Sequence, residues 1–389
     1  MPDTTFLDDV VVRQEKKRVQ RIIKIEKIVV WGNVLVLLMF KRSEVIYMKQ
    51  IKTTEAVGHV LCHDITQIIR GVTKDARFRK GHIVTEEDIP VLLSLGKENL
   101  FVWEKDDTMY HENEAAEILR CICQNDGMEA GDVKEGKIEL KALRDGVLKV
   151  DEERIDALND LEDIVIATLP QYMTVKKGDK LAGMRVVPLV IAKEKMAEAE
   201  KLAGGKPLLS LMPYRKLKVG AITTGNEVFT GRIKDTFTPV IIDKLAKFGA
   251  EVAEQRLSDD NPQRTTDFIN ELIGLGMDMI ICTGGMSVDP DDQTPLAIKQ
   301  SGARVVTYGA PVLPGAMFML AYHESGGKKI PVLGLPGCVM YAATTIFDIV
   351  LPRLVAGDEI RRKDIRSLGV GGLCRGCKEC RYPMCGFGK

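Results

Sequence analysis

The stretch IICTGGMSVDPDD, residues 280–292, decides how the C-terminal half of this chain folds. Its apolar beginning predicts a buried strand that ends at a Thr-Gly-Gly turn, and Thr294-Pro295 predicts the first turn of a helix. Adjacent glycines allow backbone N–H groups to converge on an anion. Because the carboxylates that follow would repel a bare phosphate, the stretch predicts a phosphorylated ligand held with a divalent cation. An ordinary turn-rich loop is the alternative.

Strands and helices alternate on both sides of this stretch. Predicted strands cover residues 217–223, 251–257, 278–282, 303–307, 317–321 and 330–333. Predicted helices cover residues 238–248, 263–275, 294–300 and 338–351, the last of them stopped by Pro352. This order indicates an α/β fold with a mostly parallel sheet and helices on both faces.

Four loops follow predicted strands at the edge where such a sheet binds ligands. They are Thr223–Glu227, Ser258–Asn261, Thr283–Asp292 and Gly334–Gly337. Each loop alone is also explained as a helix cap or a plain turn. Their joint placement at one edge predicts a ligand site.

The composition sets limits on the whole chain. Its 389 residues predict two or three domains, and 45% apolar with 28% charged residues is typical of soluble globular proteins. Acidic and basic residues number 55 each, so no overall field indicates a nucleic-acid partner. The most apolar run, Ile28–Phe40, is shorter than the roughly 20 residues of a membrane span.

The pattern predicts five segments. Residues 1–47 are interpreted as a mis-assigned start or a loose extension, because a regular globular pattern begins at Met48. Smaller α/β units are expected at 48–104 (an N-terminal unit) and 105–210 (a middle scaffold or insertion domain). The parallel-sheet domain covers 216–357, and a basic, cysteine-rich tail covers 361–389.

The tail carries a run of closely spaced cysteines, and the remaining cysteines favour a reducing, cytoplasmic location. Four thiolates suit a structural zinc ion or an iron–sulfur cluster, and a flexible thiol-rich tail is the alternative. The predicted metal ligands are Cys374, Cys377, Cys380 and Cys385.

Residues 216–357 resemble the molybdopterin-binding domain of the molybdenum cofactor biosynthesis family, particularly molybdopterin molybdenumtransferase. The resemblance rests on four ordered motifs: Thr224-Gly225-Asn226-Glu227, Asp259-Asp260-Asn261-Pro262, Thr283-Gly284-Gly285-Met286-Ser287-Val288 with Asp292, and Gly334-Leu335-Pro336-Gly337. It implies a parallel sheet that binds the pterin dithiolene through its phosphate, inserts molybdate with Mg²⁺, and works as a homo-oligomer.

The resemblance also implies roles for particular residues. Glu227, Asp260 and Asp292 would be the catalytic acids near metal and molybdate. The residues implied in ligand binding are Thr224, Gly225, Thr283, Gly284, Gly285, Ser287, Pro336 and Gly337.

The chain departs from the family pattern in three places. Leu335-Pro336-Gly337-Cys338-Val339 lacks the second proline of the family's turn, and Leu313-Pro314-Gly315-Ala316-Met317 lacks both lysines of the aligned segment. The family's N-terminal Asn-Ser-Ala-Met-Asp-Gly-Tyr-Ala signature is absent. Without a lysine to hold an oxyanion, pterin binding is favoured over molybdate insertion. The alternatives are a non-catalytic binding or sensing protein and, from Asp291-Asp292, a metal-dependent phosphoanhydride hydrolase.

Overall fold

The computed structural model describes residues 48–69, 73–103 and 108–389. The predictions for residues 1–47, including the apolar run Ile28–Phe40, lie outside these ranges. Among the described residues, no helix combines the length and apolar character needed to cross a membrane.

The first described segment contains short antiparallel strand pairs and one α-helix. β1 pairs with β4, and β2 pairs with β3. Leu61, Leu92 and Leu100 are almost completely buried in a shared core. The elements are β1 (Met48–Lys52), β2 (Ile65–Ile69), β3 (Thr73–Phe78), α1 (Asp88–Ser94) and β4 (Asn99–Trp103).

The middle segment is also α/β. Its strands form sheets in the orders β6-β7-β11-β9 and β10-β8-β13, with β5 paired to β12. Helices α2, α3 and α4 bury Leu119, Leu158 and Met196 against these sheets. The elements are β5 (Met109–His111), α2 (Glu112–Cys123), β6 (Met128–Ala130), β7 (Lys137–Ala142), β8 (Gly146–Val150), α3 (Glu152–Asn159), β9 (Ile164–Thr168), β10 (Thr174–Val175), β11 (Lys180–Val186), β12 (Val190–Ala192), α4 (Lys193–Ala203) and β13 (Leu209–Pro213).

The C-terminal segment contains a six-stranded sheet in the order β15-β14-β16-β19-β18-β17. Its elements are β14 (Lys218–Thr224), α5 (Asn226–Phe229), α6 (Phe237–Ala246), β15 (Glu251–Ser258), α7 (Pro262–Gly274), β16 (Met279–Thr283), α8 (Thr294–Gln300), β17 (Arg304–Tyr308), β18 (Met319–Ser325), β19 (Lys328–Leu335), α9 (Ile346–Ala356) and α10 (Arg362–Ser367). A 3-10 turn covers Gly337–Met340.

The four predicted loops do follow strands at one edge of a parallel sheet. Strands β15, β14, β16 and β19 are parallel, and only the connections through β18 are antiparallel. Their last residues are aligned: Thr224 pairs with Ser258, while Thr283 pairs with both Thr223 and Leu335. The four loops that follow these strands therefore start side by side.

Helices cover both faces of this sheet, as predicted. Ile281 of β16 faces a core shared with α6 and α9, whereas its neighbour Ile280 faces a core shared with α7 and α8. Both side chains are completely buried. Each such side chain contributes about 1.5–3 kcal/mol to stability. Burial on both faces explains why β16 is a continuous apolar run without alternation.

The predicted helix over residues 338–351 is wrong in its bounds. After the 3-10 turn, α9 begins at Ile346, capped by Thr345 together with Asp348, and continues through Pro352 to Ala356. Proline cannot donate the helical hydrogen bond to the carbonyl of residue 348. The hydroxyl of Tyr382, from the C-terminal tail, donates to that carbonyl at 3.2 Å instead. A distant residue thus satisfies the carbonyl that Pro352 leaves without its helical partner.

Candidate functional site at the sheet edge

The loop 283–292, called the ligand loop from this point, packs closely against the end of β14. Gly284 and Gly285 have φ angles of 83° and 55°. A Cβ at Gly284 would overlap the carbonyl oxygen of Thr224, and one at Gly285 would lie 2.8 Å from Thr294 Oγ1. Glycine is required at both positions because only it combines this backbone conformation with this close approach.

Buried threonine hydroxyls hold the two ends of the ligand loop together. Thr224 Oγ1 donates to the carbonyl of Thr283 at 3.1 Å and lies 3.1 Å from Thr294 Oγ1, which donates to the carbonyl of Gly284 at 2.9 Å. Thr283 is also buried, with its hydroxyl 3.4 Å from that of Thr223. The hydroxyls of Thr224 and Thr283, predicted to bind ligand, are therefore engaged within the protein. Thr294, which completes this set of hydroxyls, was not predicted as a site residue.

The outer part of the ligand loop presents an exposed serine. The backbone N–H of Ser287 donates to Asp292 Oδ2 at 2.8 Å, which closes the loop on itself. Tyr308, at the end of the edge strand β17, donates its hydroxyl to the carbonyl of Met286 at 3.1 Å. Burial raises the pKa of Tyr308, and the nearby Asp292 carboxylate adds to this shift. Only the folded sheet reveals Tyr308 as a support of the loop.

Acidic residues from three loops lie near one another at this edge. Asp260 Oδ2 accepts a hydrogen bond from the backbone N–H of Asn226 at 3.2 Å. Partial burial raises the pKa of Asp260, and the carboxylates of Glu227 and Asp291 raise it further. Carboxylates grouped in this way favour the binding of a cation.

The carboxylates present suit magnesium only in combination with a phosphate. Nowhere in residues 48–69, 73–103 or 108–389 do three His, Cys, Asp or Glu side chains lie close enough to hold one ion. Mg²⁺ is commonly bound through one or two carboxylates, waters and substrate phosphate oxygens, so it needs no all-protein cage. One or two carboxylates from among Glu227, Asp260 and Asp292 fit that mode.

The remaining predicted ligand residues lie directly beyond strands of the same edge. Gly225, with φ of 135°, follows β14 and donates its N–H to the carbonyl of Ser258 at 3.1 Å. Pro336 is buried immediately after β19, and Gly337 is exposed at the start of the 3-10 turn. The structure thus brings all the predicted positions of the four loops to one edge.

A second polar cluster at this edge was not predicted. Asp235 Oδ2 accepts hydrogen bonds from Thr223 Oγ1 at 3.0 Å, Thr238 Oγ1 at 2.6 Å and Gln255 Nε2 at 2.8 Å. The contacts join β14, α6 and β15. Thr238 lies only three residues after Asp235, as in an ordinary helix start, and the contacts with Thr223 and Gln255 arise only in the folded sheet.

The four tail cysteines are free thiols. Cys374 and Cys385 are half-buried, and Cys377 and Cys380 are exposed.

Comparison with known proteins identifies the sheet-edge domain. Residues 220–356 match the family described as a probable molybdopterin binding domain. These residues form a domain of the molybdopterin-binding family. Residues 50–104 match a family described only as a domain of unknown function.

The molybdopterin-binding domain has curated relatives of two kinds. The chain is 25% identical over 195 residues to a molybdopterin molybdenumtransferase of Synechococcus elongatus, covering 48% of this chain and 44% of that protein. It is 33% identical over 95 residues to a CinA-like protein of Mycolicibacterium vanbaalenii, covering 24% of this chain and 22% of that protein. The chain therefore spans less than half the length of these relatives.

Among solved structures, the chain is similar to the tungsten cofactor synthesizing protein MoaB from Pyrococcus furiosus. The sequence identity is 19%, the match covers 36% of this chain and 93% of the other, and the TM-score is 0.30.

Proposed function

We propose that the molybdopterin-binding domain binds molybdopterin, a phosphorylated pterin dithiolene, at the edge formed by β14, β15, β16 and β19. The observation that carries the proposal is the alignment of four strand ends, which brings Asp291 of the ligand loop close to Glu227 and Asp260. These three carboxylates are called the acidic group. Ligands of parallel α/β sheets bind outside the carboxyl ends of the strands.

The ligand loop would hold the phosphate. Its two glycines allow the backbone to approach a ligand closely, and the exposed Ser287 adds a hydroxyl donor. One or two of the carboxylates of Glu227, Asp260 and Asp292 would hold Mg²⁺ against the phosphate oxygens. When bound there, the ion would neutralise charge between the carboxylates and the phosphate, and the protein groups would orient the pterin.

Binding is proposed in preference to molybdate insertion. The segment that carries lysines in the molybdenumtransferase family reads Leu313–Met317 here. Its backbone is joined to the C-terminal tail by reciprocal hydrogen bonds of 2.8 Å, from Leu313 N to Gly372 O and from Cys374 N to Leu313 O. The five residues of this segment include no lysine that could hold an oxyanion.

Hydrolysis of a phosphoanhydride is the second candidate. The adjacent acids Asp291 and Asp292 favour it. The homo-oligomeric state implied by the family resemblance stays a prediction, which light scattering of the purified protein would check.

The test is titration of the full chain with molybdopterin, followed by addition of molybdate and Mg²⁺. Binding without conversion is the expected result. Formation of molybdenum cofactor would instead assign a transferase, and turnover of a nucleotide-linked substrate without molybdopterin binding would assign a hydrolase. Absence of molybdopterin binding would contradict the proposal.

The role of the metal is tested separately by Asp292→Asn, which retains an acceptor for the Ser287 N–H but removes a charge. Mg²⁺ should strengthen molybdopterin binding to the wild type and have little effect on this variant. Asp289→Asn, a neighbouring exposed acid, is the matched control and should keep the Mg²⁺ dependence. Equal Mg²⁺ dependence in all three proteins would remove Asp292 from the metal site.

A further inference from the structure

The four cysteines of the C-terminal tail surround one cavity. It has a volume of about 500 Å³, and its wall includes all four: Cys374, Cys377, Cys380 and Cys385. Tyr382 and Phe387 of the tail and Pro314 of the preceding domain also line it. Four cysteines of a twelve-residue segment that line one cavity form a candidate metal centre.

The tail is fixed in place by contacts that do not involve the thiol groups. Phe387 is only 5% exposed and belongs to the core beneath α9. The Tyr382 hydroxyl donates to the carbonyl of Asp348, and the backbone of residue 313 is bonded to Gly372 and Cys374. The ring centroids of Tyr382 and Phe387 lie 6.2 Å apart in an edge contact. The cavity wall is therefore part of the folded domain.

The arrangement of the thiols favours a cluster over a single ion. A structural zinc ion needs four sulfurs within about 2.3 Å of one point. In the described part of the chain no three potential ligands converge in this way, and the tail thiols are instead distributed around a cavity much larger than one ion. An iron–sulfur cluster requires cysteines that are spread around a larger space, because they bind different iron atoms around a common core.

The spacing of the cysteines agrees with this geometry. Three of them recur at intervals of two intervening residues, and the fourth follows after four more. The first three cysteines share the Cys-x2-Cys-x2-Cys spacing of bacterial ferredoxin segments, whereas zinc sites usually separate two Cys-x2-Cys pairs by a longer loop.

The cavity wall also contains groups that suit an anionic cluster. Arg375 and Arg381 are among the lining residues, and their positive charges would offset thiolate and sulfide charge. Thr344 Oγ1 lies 3.0 Å from Cys380 Sγ, within hydrogen-bonding distance. Hydrogen bonds to cysteine sulfur are among the factors that set the reduction potential of such clusters.

We propose that Cys374, Cys377, Cys380 and Cys385 bind an iron–sulfur cluster in this cavity. This site is separate from the proposed molybdopterin site, because none of its cysteine ligands belongs to the ligand loop or to the acidic group.

The experiment is anaerobic purification and reconstitution of the full chain with ferrous iron, sulfide and thiol, in parallel with loading by zinc alone. Iron, acid-labile sulfide and zinc are measured, together with the visible spectrum and the electron paramagnetic resonance of the reduced protein. The expected result is iron and sulfide in equal amounts with a broad visible absorption. Zinc without iron, or protein without metal, would overturn the proposal.

Single alanine variants of the four cysteines test the ligand assignment. Each should lose most of its iron, whereas Cys121→Ala, an exposed thiol on α2, should hold as much as the wild type. Circular dichroism checks that each variant is folded. Unchanged iron in two or more of the four tail variants, or equal loss in Cys121→Ala, would contradict the assignment. A Thr344→Val variant should retain iron but shift the reduction potential of the cluster.

Discussion

The ligand loop and the cysteine-rich tail are positioned by different kinds of interaction. The ligand loop follows β16, and parallel pairing with β14 and β19 determines where it starts. The tail has no strand in the sheet and depends on a few contacts with residues that lie tens of positions earlier, Leu313 and Asp348 among them. Strand register can therefore be anticipated from sequence, whereas docking of a terminal segment depends on individual side chains.

Phe387→Ala should have the largest effect, and it acts on the docking of the tail. Removing a buried phenylalanine should cost about 3–5 kcal/mol of tail docking. Hydrogen exchange and limited proteolysis should show loss of protection in residues 373–389, with the central strands of the sheet remaining protected. The matched control is Met384→Ala, a side chain that is 76% exposed. Unchanged protection in Phe387→Ala would show that this side chain does not anchor the tail.

Gly284→Ala is the corresponding test of the ligand loop. The substitution places a Cβ against the carbonyl of Thr224 in a backbone conformation that disfavours L-residues, and should lower the free energy of unfolding by about 2–4 kcal/mol.

Gly276→Ala is the control for this substitution, because its φ of 82° is nearly that of Gly284 (83°) while a Cβ there meets nothing within 4 Å. Urea unfolding of both variants separates the backbone effect from the overlap. Equal destabilisation would show that the close approach to β14 does not constrain the loop.

Much of the parallel sheet was predictable because its signals are local. The predicted strand 278–282 differs by one residue from Met279–Thr283, and the predicted helix 294–300 agrees with Thr294–Gln300. The apolar run and the Thr-Pro start are sufficient for these elements. Their parallel order then predicts that the loops share an edge.

The parts that were missed depend on partners far away in sequence. Pro352 was predicted to end a helix, but the structure retains it inside α9, and Tyr382 supplies the hydrogen bond to the carbonyl of residue 348. Tyr308 and Asp235 support the site through contacts that only the folded sheet creates. The functional roles given to the predicted site residues remain predictions.

Tyr382→Phe removes only the hydroxyl oxygen by which the tail contacts α9. The variant leaves the carbonyl of Asp348 without its hydroxyl donor, which should cost about 1–2 kcal/mol of stability. Chemical denaturation is the measurement, and Tyr341→Phe, at a position 83% exposed, is the control. Equal unfolding midpoints for wild type and Tyr382→Phe would show that Pro352 needs no such compensation.

Asp260→Asn should have the smallest effect on stability, and of opposite sign. Because the pKa of Asp260 is raised in the folded state, the folded protein binds more protons than the unfolded chain between the ordinary aspartate pKa of 3.8 and the raised value. Stability therefore falls as pH rises through that window. The neutral asparagine removes this penalty, so its melting temperature near pH 7 should be slightly above that of the wild type. Calorimetry at about pH 3.5 and pH 7 gives the comparison; a larger gain at the lower pH would contradict the pKa direction.

If the ligand loop holds the phosphate of molybdopterin, Ser287→Glu should lower the affinity for molybdopterin. Ser287 is exposed, so the variant should fold, but its carboxylate would repel the phosphate and weaken binding by about 100-fold or more. Val288→Glu adds the same charge at a neighbouring side chain that is 84% exposed and should change the affinity only a few-fold. Equal affinities for Ser287→Glu, Val288→Glu and the wild type would contradict the claim.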